Sequence, residues 1–202
     1  SGGMGQALLT KLNSEGFTTI AVIRDREKLK TPADFIFEAD FSNPVQVEQI
    51  VYRISQEVEE IDFWCYAAGD ILSAKAAQMK PSEWDRILSA NLSGAFFTYH
   101  FSQILMTENA HLFFLGAVSE RLRLPGLSVY AAAKAGLEAF VTALSKEERK
   151  KRITIVRPGA VNTALWDKVP MSLPADAASP EKVASKILES YHTGFKGQLD
   201  LV

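Results

Sequence analysis

The sequence predicts an α/β domain built on a doubly wound parallel sheet with helices in layers on both faces, and three observations carry that prediction. Short β-branched or apolar runs alternate with helical periods along the whole chain. The runs are continuous rather than alternating, as in strands buried on both faces of a parallel sheet. No linker, repeat or composition break divides the 202 residues, so residues 1–202 read as one domain with room for a sizeable core.

Taken in order, Gly5 to Ser14 carries Ala7, Leu8 and Leu12 on one helical stripe, with Gly16 as a stop. Thr18 to Ile23 reads as a strand. Ser42-Asn43-Pro44 supplies a cap and an early proline to a helix whose inner face is Val47, Ile50, Val51 and Ile54. Ile61 to Ala67 is the next strand. Pro81-Ser82-Glu83 opens a long helix running toward Met106, and Leu112 to Leu115 is a strand. An alanine-rich helix spans Ser128 to about Lys150. Ile153 to Val156 is a strand stopped by Arg157-Pro158-Gly159, Pro180-Glu181 starts the last helix, and Leu199 to Val202 is the closing strand. Between them, Ala164 to Ser179 is irregular, with Pro170 and Pro174 inside it and Pro180 after it. Such a stretch is either a lid over a site or an ordinary surface connection. Its Trp166, Val169, Met171 and Leu173 suit an apolar ligand or simple packing onto the domain.

Composition removes several function classes. With 24 acidic and 22 basic side chains and a net charge of −2, neither the whole chain nor any basic run attracts nucleic acid. One cysteine and three histidines supply neither a disulfide framework nor a zinc cage, and Cys65 sits in the apolar run Phe63-Trp64-Cys65-Tyr66. No apolar stretch reaches the length of a membrane span and no signal-peptide layout opens the chain. The expectation is a soluble, cytoplasmic protein without metal.

Two groups of residues point to chemistry. Ser1-Gly2-Gly3-Met4-Gly5 leads straight into a helix, and glycines there let backbone N–H groups approach a phosphate. Tyr130 and Lys134 lie one turn apart in the alanine-rich helix, on one face. A cation beside a phenol stabilises phenolate, so such a tyrosine can pass a proton to a carbonyl oxygen.

The run Leu124-Pro125-Gly126-Leu127-Ser128-Val129-Tyr130-Ala131-Ala132-Ala133-Lys134-Ala135-Gly136 resembles the active-site segment of the short-chain dehydrogenase/reductases. Asn91-Leu92-Ser93-Gly94 is similar to that family's asparagine segment, and Arg157-Pro158-Gly159-Ala160-Val161-Asn162-Thr163 to its Pro-Gly turn with a following threonine. Ala67-Ala68-Gly69 resembles the tail of its Asn-Asn-Ala-Gly turn, and Asp40-Phe41-Ser42 its adenine-contacting aspartate. These motifs keep the family's order over nearly the whole chain. The resemblance implies a Rossmann-like fold and an NAD(P)-dependent oxidoreductase that interconverts a small carbonyl compound and its alcohol. Tyr130 would be the general acid/base, Lys134 would lower its pKa and hold the nicotinamide ribose, and Asn91 would anchor a water in the proton relay. Gly3 and Gly5, with Ser1 and Met4 beside them, would lie over the pyrophosphate. Pro158, Gly159, Val161 and Thr163 would meet the nicotinamide end, with Thr163 at the carboxamide.

NADP(H) is favoured over NAD(H). The position after the second strand that carries a ribose-binding acid in NAD-preferring members is Ile23, followed by Arg24, whose guanidinium suits a 2′-phosphate. A slip of two residues would instead put Asp25 there. Family members pair through their two long helices, here about 82–107 and 128–149, which implies a homodimer or homotetramer.

Two departures stand out. The family's catalytic serine falls thirteen residues before the tyrosine, where this chain has Ala117. Ser119 is the nearby hydroxyl and the substitute candidate, although it needs a tighter loop. Loss of that donor opens a second reading, a nucleotide-binding sensor or scaffold with weakened catalysis. Tyr66 stands where the turn normally begins with asparagine, and it is expected beside the adenosine end of the cleft. The motifs also begin within the glycine loop. The first strand and its Thr-Gly do not appear before Ser1, which we expect to reflect a longer parent chain; the other reading is a different segment filling their place.

Overall fold

The computed structural model describes residues 2–201. Helix α1 is Gly3–Ser14 and β1 is Ile20–Ile23; β2 is Phe35–Glu38, α2 Pro44–Ile54 and β3 Ile61–Tyr66. Helices α3, Pro81–Leu88, and α4, Gly94–Ser102, are followed by β4, Met106–Leu115. The chain ends with α5, Ser128–Glu147, β5, Arg152–Pro158, α6, Pro180–Thr193, and β6, Gly197–Leu201.

All pairings between these strands are parallel. β3, β4, β5 and β6 form one sheet in that order, and β1 pairs with β2 as a second. Along β4 successive side chains take opposite faces. Leu112 and Phe114 pack toward α4 and α5, whereas Phe113 packs toward α1 and α6. Helix α2 covers the β1–β2 pair through Ile50, Val51 and Ile54 against Phe37 and Val22. The result is helix, sheet, helix in three layers.

β1 and β3 do not pair with each other. Both line one large cavity, of about 1870 Å³, that also runs along Leu8 and Leu12 of α1 and Val47 and Ile50 of α2. The gap lies where the resemblance places a first strand, and among the described residues no other segment fills it.

Local chemistry explains the helix starts. Asn43 accepts the N–H groups of Val45 and Gln46, Ser179 accepts that of Lys182, and Pro44, Pro81 and Pro180 occupy first positions where no donor is needed. Helix α6 stops at Gly194, whose φ of 69° is left-handed.

Three details differ from the sequence expectation. Phe35–Glu38 is an additional short strand, paired to β1 in register Ile20 with Phe35. The long helix from Pro81 ends at Ser102, where a 3₁₀ turn leads into β4, and is interrupted over Ser89–Ser93 by a π-helical turn. β4 is correspondingly longer, ten residues from Met106.

His111 of β4 is fully buried and stacks on Phe113 at 4.0 Å between ring centroids. Thr154 Oγ donates to the Phe195 carbonyl, so the 2.8 Å contact with His111 takes Nε2–H as donor; Nδ1 has no partner among the described residues. Burial pushes the imidazole down to about 4. The folded state therefore resists a proton that the unfolded chain accepts below about 6.5, and stability should fall as pH drops from there toward 4, by up to about 3 kcal/mol. Denaturant titration at pH 7 and pH 4.5 should show this loss in the wild type and a smaller one in His111→Gln; equal losses would assign the acid sensitivity elsewhere.

Candidate active site

The parallel strands deliver their following loops to one edge, and the cavity opens there. Gly2 precedes α1 with no side-chain cap of its own to offer the first-turn N–H groups of the helix. A Cβ on Gly3 would stand 2.9 Å from Thr163 Cγ2, so the glycine turn and the segment after β5 are in contact only because residue 3 has no side chain. At Gly5 a Cβ would meet nothing within 4 Å among the described residues.

Gly3, Met4 and Gly5 line the cavity, as do Arg24, Asp40 and Phe41, the turn Ala67-Ala68-Gly69, Tyr130 and Lys134, and Pro158, Gly159, Val161 and Thr163. The fold thus brings together every residue proposed to contact the dinucleotide except Ser1, which lies outside the described residues. Asp40 accepts from the N–H and Oγ of Ser42, and these bonds, led by the backbone one, hold its carboxyl below the usual range with help from Arg24. Phe41 lies against Tyr66, with ring centroids 5.9 Å apart. Tyr66 therefore does sit beside the Phe41 end of the cleft, but its hydroxyl has another task, donating to the Ala90 carbonyl at 2.9 Å. Asp25, the alternative ribose ligand, caps the 3₁₀ turn Arg26–Lys28 by accepting from Glu27 N–H, and it pairs with Lys28 at 2.8 Å. It does not line the cavity.

At the reactive end, Tyr130 and Lys134 are both buried on α5, with the ammonium 5.7 Å from the phenol ring centroid. Lys134 Nζ donates to the Leu115 carbonyl at 3.0 Å, which anchors it to the end of β4. Burial dominates both titrations. It drives Lys134 down to about 8 and Tyr130 above its ordinary value. The expected lowering of the phenol by Lys134 is thus outweighed in this structure by desolvation, and Tyr130 is a protonated acid at neutral pH.

Asn91 is fully buried at the centre of the π-helical turn. Its Nδ2 donates to the carbonyls of Asp70, at 2.7 Å, and Ile87, at 2.9 Å, while Oδ1 has no partner among the described residues. A Cβ built on Gly69 would be 3.0 Å from that Oδ1 and 3.8 Å from Lys134 Nζ. Amide oxygen and ammonium thus converge on the same glycine.

Ala117 lines the cavity, and Ser119 does not. Ser119 Oγ donates to Glu138 at 3.0 Å, and Glu138 also accepts from buried Arg157. The structure therefore places Ser119 in the ion-pair cluster on α5 rather than beside Tyr130.

The segment after Val161 folds over the mouth. Leu165, Val169 and Met171 pack against the buried cluster of Ile71, Ile87, Leu127, Val129 and Tyr130, Trp166 lines the cavity, and Leu173 remains 36% exposed. Sequence reasoning missed its anchor, Asp70. This carboxylate is only 5% exposed, and it takes Lys168 of that segment at 2.6 Å and Arg86 of α3 at 2.7 Å. An acidic residue directly after Ala67-Ala68-Gly69 was the available signal.

A family model described as short chain dehydrogenase matches residues 1–173. Among curated proteins, an uncharacterized oxidoreductase of Staphylococcus aureus strain MW2 is 27% identical over 174 residues, covering 81% of this chain and 75% of its own. One from Staphylococcus epidermidis is also 27% identical, over 181 residues, covering 83% and 77%. Ligand-free aldohexose dehydrogenase of Thermoplasma acidophilum superposes with a TM-score of 0.87 at 20% identity, covering 100% of this chain and 88% of that one. The closed form of a serine dehydrogenase complexed with NADP+ gives 0.86 at 19%, covering 99% and 90%. Those structural likenesses show the fold, and the family match carries the assignment: with its glycine turn, Tyr130 and Lys134 on one cavity and Asn91 buried behind Gly69, the chain belongs to the short-chain dehydrogenase family.

Proposed function

We propose that the protein is an NADP(H)-dependent oxidoreductase acting on a carbonyl compound and its alcohol. The observation that carries this reading is the placement of buried Tyr130 and Lys134 on the same cavity as the glycine turn at the start of α1. The residues fit a dinucleotide. The uncapped N-terminus of α1 favours phosphate charge, and Gly69 leaves open the space into which Asn91 Oδ1 and Lys134 Nζ point. When bound, the dinucleotide supplies hydride from nicotinamide C4. Tyr130 gives its proton to the substrate oxygen, Lys134 compensates the phenolate left behind, and Asn91 Oδ1 accepts in the relay that returns the proton. The apolar inner face of the segment over the mouth, Leu165, Val169 and Met171, supports a hydrophobic substrate.

Arg24 on the cavity, with Asp25 occupied as a cap, supports NADP(H) over NAD(H). The same reading includes a homodimer or homotetramer through the paired long helices, supported by Phe96 and Ile104, 43% and 79% exposed on that side. It also includes a cytoplasmic location; among the described residues no helix is long and apolar enough to cross a membrane. A second reading, a cofactor-binding sensor with weakened catalysis, is favoured by Ala117 and by the engagement of Ser119 with Glu138.

Three measurements test these statements. With NADPH and a panel of aldehydes and ketones, Tyr130→Phe should lower turnover about a hundredfold or more, and Ala117→Ser should raise it toward about a hundredfold by restoring a donor to the developing oxyanion. Cofactor binding without any turnover, and no effect of either variant, would leave the sensor. Lys134 keeps its charge below about pH 8, so kcat for reduction should fall as pH rises through that value; a profile flat to about pH 9.5 would contradict the burial argument. Arg24→Ala should weaken NADPH binding by about tenfold or more with NADH unchanged, the scale of one charge-assisted contact. Tighter binding of NADH by the wild type would reverse the cofactor assignment.

A further inference from the structure

The short π-helical turn in the long helix has a consequence for Tyr66. At this turn Gly94 N–H donates to Ser89, five residues back, instead of to Ala90, four back. The Ala90 carbonyl thereby loses its α-helical donor inside the protein, where an unpaired carbonyl is costly. Tyr66 Oη–H supplies the replacement at 2.9 Å, reaching across from the end of β3. Its approach needs Gly94. A Cβ there would lie 2.5 Å from the Tyr66 oxygen and 2.9 Å from Ser89 O.

We infer that Tyr66 is a positioning residue: its hydroxyl holds the π-helical turn open at Ala90 and so aims the adjacent Asn91 amide at the Lys134 ammonium. The inference rests on the proposed roles of Asn91, Tyr130 and Lys134. Its geometry is local and specific. Asn91 follows Ala90 directly, and its Nδ2 is already committed to Ile87 O and Asp70 O. Relaxation of the turn to α-helical pairing would return Gly94 N–H to Ala90 O and rotate Asn91 about the helix axis. That rotation breaks those two bonds and swings Oδ1 away from Gly69 and Lys134. Tyr66 itself touches neither reacting group. Its ring is fixed by packing against Phe41 and Trp64, with centroids 5.9 and 6.4 Å away, so the hydroxyl is delivered by a rigid support.

The test is Tyr66→Phe, which keeps the ring and removes the donor. The expected result is a fall in kcat of about tenfold or more, the usual scale for loss of a group that orients a reacting residue, with the NADPH dissociation constant and substrate KM within about twofold. Hydrogen exchange at the amides of Gly94 and Ala95 should change at least about tenfold as Gly94 N–H passes from Ser89 O to Ala90 O, while α5 is unchanged. Unaltered kcat together with unaltered exchange would overturn the inference, as would a rise in KM alone. Should the wild type show no turnover, the oxidoreductase reading fails on its own. The exchange rates, with the Asn91 side-chain amide resonances, then decide whether Tyr66 sets the turn. If the variant does not fold, the wild-type protein still answers. A slowly exchanging Tyr66 hydroxyl proton with cross-relaxation to the Asn91 amide supports the inference, and its absence refutes it.

Discussion

Every described strand of this protein runs the same way as its neighbours, and that parallel pairing decides where all else goes. Parallel strands cannot be joined by tight turns, so each return passes through a helix or long loop and each strand ends at the same edge. The residues just past those ends are Arg24 after β1, Asp40 after β2, Ala67 to Gly69 after β3, Gly116 and Ala117 after β4, and Gly159 to Thr163 after β5. These loops line one end of the cavity, which continues between β1 and β3; in doubly wound sheets ligands bind outside the ends of the strands on that side. A single antiparallel strand would have sent one of these groups to the far side.

Within that frame the buried charges are handled in two ways. Arg157, 6% exposed, is neutralised by Glu138 at 3.0 Å, Glu120 at 2.6 Å and Asp200 at 3.3 Å, tying α5, β5 and β6 together. Removing one partner of such a buried group typically costs about 3–5 kcal/mol, whereas the intact cluster adds little net stability. Lys134 has no carboxylate partner among the described residues. Its acceptor there is a neutral carbonyl, that of Leu115, so desolvation wins and its pKa drops to about 8. The contrast separates a cation neutralised by three carboxylates from one whose charge burial opposes. Asp70 joins both patterns, as a buried carboxylate that fastens the segment over the mouth to α3.

Much of this architecture is legible in the sequence, where the causes are local. Caps such as Asn43 and Ser179 and prolines at first helical turns act within three or four residues, so helix starts can be read directly. The four-residue strand Phe35–Glu38 is harder to read, because Phe-Ile-Phe favours a strand but is too short to place without its partner β1. The interruption at Ser89–Ser93 escapes for a similar reason. Nothing in Ser-Ala-Asn-Leu-Ser marks a shift from four-residue to five-residue pairing, and the donor that stabilises it sits on β3. Ser119 is plausible by spacing alone, yet Glu138, a residue of α5, takes its hydroxyl.

The sequence by itself determined the family, the parallel α/β class, the Tyr130–Lys134 pair and the absence of a hydroxyl at Ala117, since all of these reside in residue identity and short spacing. Only the tertiary structure decided how Tyr66 is used, where Ser119 points, that Asp70 anchors the segment over the mouth, and that burial outweighs charge in the titration of Tyr130. Those outcomes depend on groups 19 to 98 residues apart in the chain meeting in a poorly solvated space. There desolvation and hydrogen-bond competition, which no local pattern encodes, set the energies.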